Sequence, residues 1–196
     1  MYEHLKHFGQ WQRNYAAWMN AVFRLGGREL LDVGTAYGAH VKAFREIGIY
    51  AWGCDKCLEM IRNTPFREIY PYLFVWDIIR PLGNFPKLYD VVVSHGVLEH
   101  IKVDDLLNAN LNMLSVLQSG GLYVHIITVQ ESPAWAKDGD PTHVTIKPIA
   151  WWRNYFEQFD LVDLTKFYEG AIREAEKEIQ PFREENGWGV FIYEKK

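Results

Sequence analysis

The sequence predicts an α/β fold in which seven strands, most of them in βαβ units, form a parallel sheet with helices between them. Three observations carry this. Short apolar runs alternate with amphipathic stretches along the chain, the pattern of βαβ units. The run Asp90-Val91-Val92-Val93-Ser94 is continuously β-branched at its centre, as a strand buried on both faces must be. Gly26-Gly27 and Gly120-Gly121 each end an amphipathic stretch just before an apolar run.

In order, Phe8, Trp11, Tyr15, Trp18, Met19 and Val22 recur at helical spacing and predict an amphipathic helix that ends at Gly26-Gly27. Glu29 to Val33 is the first strand, and the helix after Gly38 uses Val41, Phe44 and Ile47. Tyr50 to Cys54 is the second strand, with a helix through Leu58 and Ile61, and Tyr72 to Trp76 is the third. Asp90 to Ser94 is the fourth. Asp104-Asp105 suits the positive end of the next helix, which carries Leu107, Leu111, Leu114 and Leu117 and closes at Gly120-Gly121. Gly121 to Ile127 is the fifth strand. A long loop over 128–147 leads to Pro148, which fits the first position of a helix running to Phe156. Phe159 to Thr165 and Trp188 to Glu194 complete the strands, separated by a charged helix from Ala171 to Glu185.

Composition narrows the function classes. A chain of 196 residues fits one domain, and 48% apolar residues suffice for a sizeable core. Lys and Arg number 21 against 25 Asp and Glu, a net charge of -4 with no basic stripe, which argues against a nucleic-acid partner. No apolar run is long enough for a membrane span, and Met1 to Gln10 lacks the apolar stretch of a signal peptide, so the expected location is cytoplasmic. Two cysteines, Cys54 and Cys57, are too few for a disulfide framework. Their Cys-x-x-Cys spacing after a strand has the look of a redox pair, yet Asp55 between them accounts for the segment better.

The chemistry concentrates at the ends of strands. Asp32-Val33-Gly34-Thr35-Ala36-Tyr37-Gly38 is a strand-to-helix turn of small residues, which lets backbone approach a ligand closely. In doubly wound sheets ligands sit there, beyond the carboxyl ends of the strands. The glycines do not follow the dinucleotide spacing, and no Gly-Lys-Ser/Thr of a P-loop follows. Asp55, 21 residues after Gly34, stands at the end of the second strand, where an acid can accept hydrogen bonds from both hydroxyls of a ribose.

Asp32-x-Gly34-x-Ala36-x-Gly38 resembles the first motif of the class I S-adenosylmethionine-dependent methyltransferases, with Ala36 where a third glycine is common. Asp55-Lys56-Cys57-Leu58-Glu59-Met60 is similar to their second motif, and Trp76-Asp77 to the third-strand end, where an Asp meets the adenine amino group. Tyr89 to Ile101, reading YDVVVSHGVLEHI, resembles the fourth-strand motif and its turn. Gly120-Gly121-Leu122-Tyr123-Val124 is similar to the entry to the fifth strand, and Trp188 to Glu194 to the last, antiparallel strand. The resemblance implies a Rossmann-like seven-stranded methyltransferase sandwich in one domain, with strand order 3-2-1-4-5-7-6. It implies S-adenosylmethionine as cofactor, held by Asp32, Gly34, Thr35, Ala36, Gly38, Asp55, Lys56, Met60, Asp77, Ile78, Ser94 and His95. Residues 28–196 are the expected core and 1–27 a helical lid, with Trp11, Arg13 and Tyr15 nearest the cofactor and Trp18 and Val22 packed on the sheet.

Departures from the family pattern bear on the acceptor. Neither the Asn-Pro-Pro-Tyr clamp of base methylases nor the Lys-Asp-Lys-Glu set of ribose methylases is evident. Lys147 stands where relatives often carry a capping Ser. The expected acceptor is a small molecule. The alternatives are a protein or RNA methyltransferase acting with a partner, a non-catalytic S-adenosylmethionine-binding protein and a nucleotide-dependent oxidoreductase, the last disfavoured by the glycine spacing. Homodimerisation stays open, and no metal is expected. His143 is the candidate general base, in a loop that also carries Trp135, Asp138 and Asp140, and His95 is a second candidate more suited to placement beside the cofactor. His100, His40 and His125 read as structural. Of Trp151, Trp152, Tyr155 and Phe156, at least two must face the core.

Overall fold

A computed structural model of the chain describes residues 7–83, 87–130, 140–178 and 187–196. Its described elements are α1 (Gln10–Phe23), β1 (Glu29–Val33), α2 (Ala39–Glu46), β2 (Tyr50–Asp55), α3 (Leu58–Arg62), β3 (Leu73–Val75), β4 (Tyr89–His95), α4 (Val103–Ser115), β5 (Leu117–Thr128), α5 (Ile149–Phe156), β6 (Leu161–Asp163), α6 (Thr165–Glu178) and β7 (Trp188–Lys195). One sheet holds all seven strands in the order β3-β2-β1-β4-β5-β7-β6, as the resemblance implies. The pairs from β3 through β5 are parallel, and β7 runs antiparallel to both β5 and β6. This is the Rossmann-like architecture that the resemblance implies.

The alternation of side chains along each strand divides the core into two layers. Leu30, Val91, Val93, Val124, Ile126 and Ile192 meet α1, α2 and α6 on one face. Leu31, Val33, Val92, Tyr123, Ile127 and Phe191 meet α4 and α5 on the other. Trp152 and Phe156 are the two aromatics of α5 that the second layer buries completely. That helix starts without a side-chain cap, in keeping with Lys147 at the place of a Ser.

Several element boundaries differ from expectation for identifiable reasons. Helix α1 ends at Phe23 rather than at Gly26-Gly27, because Arg24 turns left-handed (φ 50°) and the Asn20 side chain accepts the amide of Leu25 at 3.1 Å. Helix α4 buries Leu106, Ala109, Asn110 and Met113, whereas Leu107 and Leu111 are about half exposed and Leu117 already belongs to β5. The inner stripe is interrupted by a polar residue. Asn110 is tolerated there because its amide donates to the carbonyl of Leu106 (2.8 Å) and its Oδ1 accepts the hydroxyl of Tyr123 (2.6 Å).

Gly120-Gly121 does not close α4 but forms a bulge within β5, between the pairs Tyr89–Leu117 and Val91–Leu122. Gly120 has φ 74°, and a Cβ on Gly121 would lie 2.8 Å from the carbonyl oxygen of Gln118. The helix end is closed instead by the ammonium of Lys195, which donates to the carbonyls of Leu114 (2.8 Å) and Leu117 (2.6 Å). Strand β6 is shorter than expected, and α6 begins six residues earlier, at Thr165. Residues 179–185 of the expected charged helix lie outside the described residues.

Helix α1 is built into the first layer rather than laid over it. Tyr15, Ala16, Trp18, Met19, Val22 and Phe23 are all buried, and Trp18 meets Phe23 edge-on at 6.2 Å. Trp18→Ala is therefore expected to destabilise the protein by about 3–5 kcal/mol, the cost of emptying a buried aromatic site. Equilibrium denaturation checks this. A loss below about 1 kcal/mol, the size of an ordinary surface substitution, would mean that α1 is not anchored in the core.

Candidate active site

The ends of β1 and β2 meet in one turn. The amides of Gly34 and Thr35 both donate to the carbonyl of Cys54, at 2.8 and 3.0 Å, and that of Gly38 donates to the carbonyl of Thr35 at 2.8 Å. Asp55, one residue beyond Cys54, accepts the amide of Ala36 at 2.9 Å on one carboxylate oxygen and the amide of Cys57 at 2.8 Å on the other. Burial raises the pKa of Asp55, and these two amide bonds and the charge of Lys56 work against that rise. The Cys54 thiol, buried and close to the charges of Asp32 and Asp55, is pushed well up. Such a thiol is a poor nucleophile.

Within the turn, Gly34 and Gly38 have φ of 75° and 86°, and Ala36 adopts a left-handed φ of 52° despite its side chain. The close approach at Gly34 is to the protein itself. A Cβ there would lie 2.4 Å from a methyl group of Val97, in the turn that follows β4.

The Asp32 side chain points to the α1 face, buried, with its Oδ2 hydrogen-bonded to nothing among the described residues and His40 Nδ1 3.8 Å away. Around it stand five rings from four elements. His40 lies 4.5 Å from Tyr15 and 5.6 Å from His95, centroid to centroid, and Trp11 stacks on His95 at 5.5 Å. Trp188, at the start of β7, closes the group 5.0 Å from His95. Burial, then the charge of His40, lowers the pKa of His95 well below its ordinary value, so its imidazole is neutral at neutral pH and a weak base. Burial and the Asp32 charge raise the Tyr15 pKa well above its usual range.

Ser94 and His95, neighbours in sequence, fall on opposite faces of the sheet. The Ser94 hydroxyl is buried against His125 Nδ1 at 2.7 Å, on the α4–α5 side. Burial lowers the His125 pKa to about 3. Asp77 follows Trp76, whose amide donates to the carbonyl of Asp55 at 3.0 Å, so the third-strand end leaves the sheet beside the second. Asp77 Oδ1 lies 3.4 Å from the amide of Ile79, and Ile78 is buried. Lys56 is exposed, and Met60 is half-buried in α3.

His143 lies apart from the five rings in the described interactions. It stands 4.7 Å from the ring of His100, with its Nε2 4.0 Å from Asp140 Oδ2. Trp135 and Asp138, expected in the same loop, lie outside the described residues.

Sequence reasoning set aside three side chains that the structure places here. His40 read as structural, although its position two residues after Gly38 puts it on the inner turn of α2, facing Asp32. Trp188 read only as the start of a strand, and nothing local to it signals contact with His95. Glu99 was noted only as part of a motif, yet it is buried and binds the amide of Thr128 at 3.0 Å.

With this geometry in hand, comparison with known proteins is informative. A family model described as a methyltransferase domain matches residues 5–169, well over half of the chain. The chain belongs to this methyltransferase family. Comparison with curated protein sequences yields no match. Among solved structures, the fold is shared with a SAM-dependent methyltransferase from Archaeoglobus fulgidus, at 20% identity and TM-score 0.65, covering 94% of each chain. A Haloferax volcanii methyltransferase solved in complex with a methyltransferase activator matches at 18% identity and TM-score 0.62, over 93% of this chain and 90% of that one. An O-methyltransferase family protein from Burkholderia thailandensis matches at 10% identity and TM-score 0.61, over 94% of this methyltransferase, which spans only 55% of the Burkholderia chain.

The turn makes a pair of opposite expectations. Ala36→Gly removes a side chain from a left-handed position that costs an L-residue roughly 1–2 kcal/mol, so thermal melting should show an unchanged or slightly raised Tm. Gly34→Ala adds a Cβ in a left-handed position against Val97 and should lower the Tm by several degrees, at about 2–4 °C per kcal/mol for a chain of this size. A lower Tm for Ala36→Gly would mean that the turn does not have this conformation.

Proposed function

We propose that this methyltransferase carries the methyl group of S-adenosylmethionine to a small-molecule acceptor. The observation that carries the reading is the joining of the two motif acids, Asp32 and Asp55, at a single turn through the Asp55–Ala36 bond. S-adenosylmethionine supplies a methyl group already activated on a sulfonium, so the protein has chiefly to bind and orient, which alone contributes about 7–11 kcal/mol in well-aligned reactions.

The residues fit that donor. A carboxylate has roughly four acceptor sites. Asp55 spends two on amides, which leaves capacity for ribose hydroxyls. The buried Oδ2 of Asp32, which has no hydrogen bond among the described residues, suits the ammonium of the methionine portion. Gly34, Thr35, Ala36 and Gly38 supply a backbone without bulk, with Lys56 and Met60 beyond Asp55. Asp77 and Ile78 suit the adenine, a polar acceptor beside an apolar wall. His95, neutral and ringed by Trp11, Tyr15, His40 and Trp188, forms an aromatic wall that attracts a sulfonium by its π-faces. Ser94 supports the end of β4 from the opposite face through His125.

In this reading residues 28–196 are the catalytic core of one domain, and the first turns of α1 cover the donor, with Trp18 and Val22 as their anchor. His143 serves the acceptor. A small-molecule acceptor is supported by the net charge of -4 and the missing nucleic-acid methylase motifs. A second reading, an acceptor presented with a partner protein, draws support from the activator bound to the Haloferax methyltransferase. No helix of the described residues is long and apolar enough to cross a membrane.

Calorimetry with S-adenosylhomocysteine should give 1:1 binding, and NAD should give none. Asp55→Ala should weaken the former by about 1.5–3 kcal/mol, the value of hydrogen bonds to a charged acceptor. Equal affinity in a folded Asp55→Ala variant would remove the ribose from this acid.

A further inference from the structure

The turn after β4 and residues 140–145 are stapled together around a polar cluster that the cofactor reading does not use. The carbonyl of Glu99 accepts the amides of Val144 and Thr145, both at 2.9 Å, and the Thr145 hydroxyl donates to the carbonyl of Ile101 at 2.6 Å. These bonds bring His143 to the Glu99–His100 pair. One ligand atom from each of Glu99, His100 and His143 lies within 4.8 Å of the other two.

Two features separate this cluster from an ordinary group of polar residues. The first is Glu99. Its side chain is fully buried, its Oε1 accepts the amide of Thr128, and its Oε2 is buried with no hydrogen bond or ion pair among the described residues. A carboxylate oxygen in that condition is costly unless a cation faces it.

The second is the orientation of His100. The Thr142 hydroxyl donates to Asp140 Oδ1 at 2.6 Å, so towards His100 Nδ1, 2.9 Å away, it can only accept. The carbonyl of Thr142, 3.1 Å from the same nitrogen, also only accepts. Nδ1 therefore carries a proton, and in the neutral imidazole the lone pair is on Nε2. An imidazole that gives one N–H to a carbonyl while its other nitrogen stays basic is in the state that metal-binding histidines adopt.

We propose that Glu99, His100 and His143 bind one first-row divalent transition-metal ion. Two imidazoles and one carboxylate are a recurrent set for zinc and for non-haem iron, with bonds of about 2.0–2.2 Å. Closing to such distances asks the cluster to contract. Three protein ligands leave a position open, as catalytic sites do. The inference deepens, and rests on, the placement of His143 on the acceptor side, where it makes that residue a ligand rather than a free base.

The test needs neither donor nor acceptor, so it can fail while the methyltransferase reading stands, and the reverse. Chelator-treated, dialysed protein is titrated with zinc chloride by calorimetry and with cobalt chloride by visible absorption. The expected result is one ion per chain. His143→Ala and the isosteric Glu99→Gln should each weaken binding by about tenfold or more, with circular dichroism confirming that they fold, and Cys57→Ser should bind as the parent does. The His143→Ala variant keeps the test valid if Glu99→Gln misfolds. Absence of binding by the parent, unchanged binding by His143→Ala, or loss of binding in Cys57→Ser would each overturn the proposal.

Discussion

Asp55 sits where β2 ends and holds two backbone amides that belong to different loops, Ala36 at 2.9 Å and Cys57 at 2.8 Å. The first bond fixes the turn out of β1 in a conformation with three positive φ angles, one of them at an alanine. The second starts α3. Burying a carboxylate is unfavourable in itself, and the raised pKa of Asp55 records that. The two amides offset part of the cost, and the placement of Asp32, Gly34 and Gly38 around a common point follows from them. Without this acid the turn would lose its bond at Ala36 and keep only those of Gly34, Thr35 and Gly38.

A second constraint comes from β4, which is buried on both faces. Its alternation sends Val91, Val93 and His95 to the side of α1 and α2, and Val92 and Ser94 to the side of α4 and α5. The rings that gather on His95 are therefore drawn from α1, α2 and β7, and none comes from the helix that follows β4. The same strand then delivers Glu99 into its turn. The donor side and the Glu99–His100–His143 cluster thus lie at one end of one strand, four residues apart at their nearest, from His95 to Glu99.

Much of this was legible in the residues. Glu29 to Val33 is a strand in both accounts, the acid-and-glycine turn follows it, and Asp55 marks the end of the next strand. Local patterns succeed there because the signal, small residues and an acid at fixed spacing, is itself local. They fail where burial is decided by distant partners. Asn110 breaks the apolar period of α4, since its partners Tyr123 and Tyr155 lie on other elements, and the leucines at helical spacing include the exposed Leu107 and Leu111. Gly120-Gly121 looks like a helix stop and is a bulge, which only the register against β4 reveals. Trp188 reaches His95 across nearly half of the chain, and no local window of sequence contains both.

These constraints converge on one statement, that the turn organised by Asp55 is a seat for an adenosyl-sulfonium donor walled by the rings around His95. A crystal structure of the protein with S-adenosylhomocysteine tests it most directly. The account predicts the ribose hydroxyls within hydrogen-bonding distance of Asp55, with its bonds to Ala36 and Cys57 retained, and the sulfur beside the ring of His95. A ligand bound elsewhere, or an Asp55 that turns away from the sugar and releases Ala36, would contradict it.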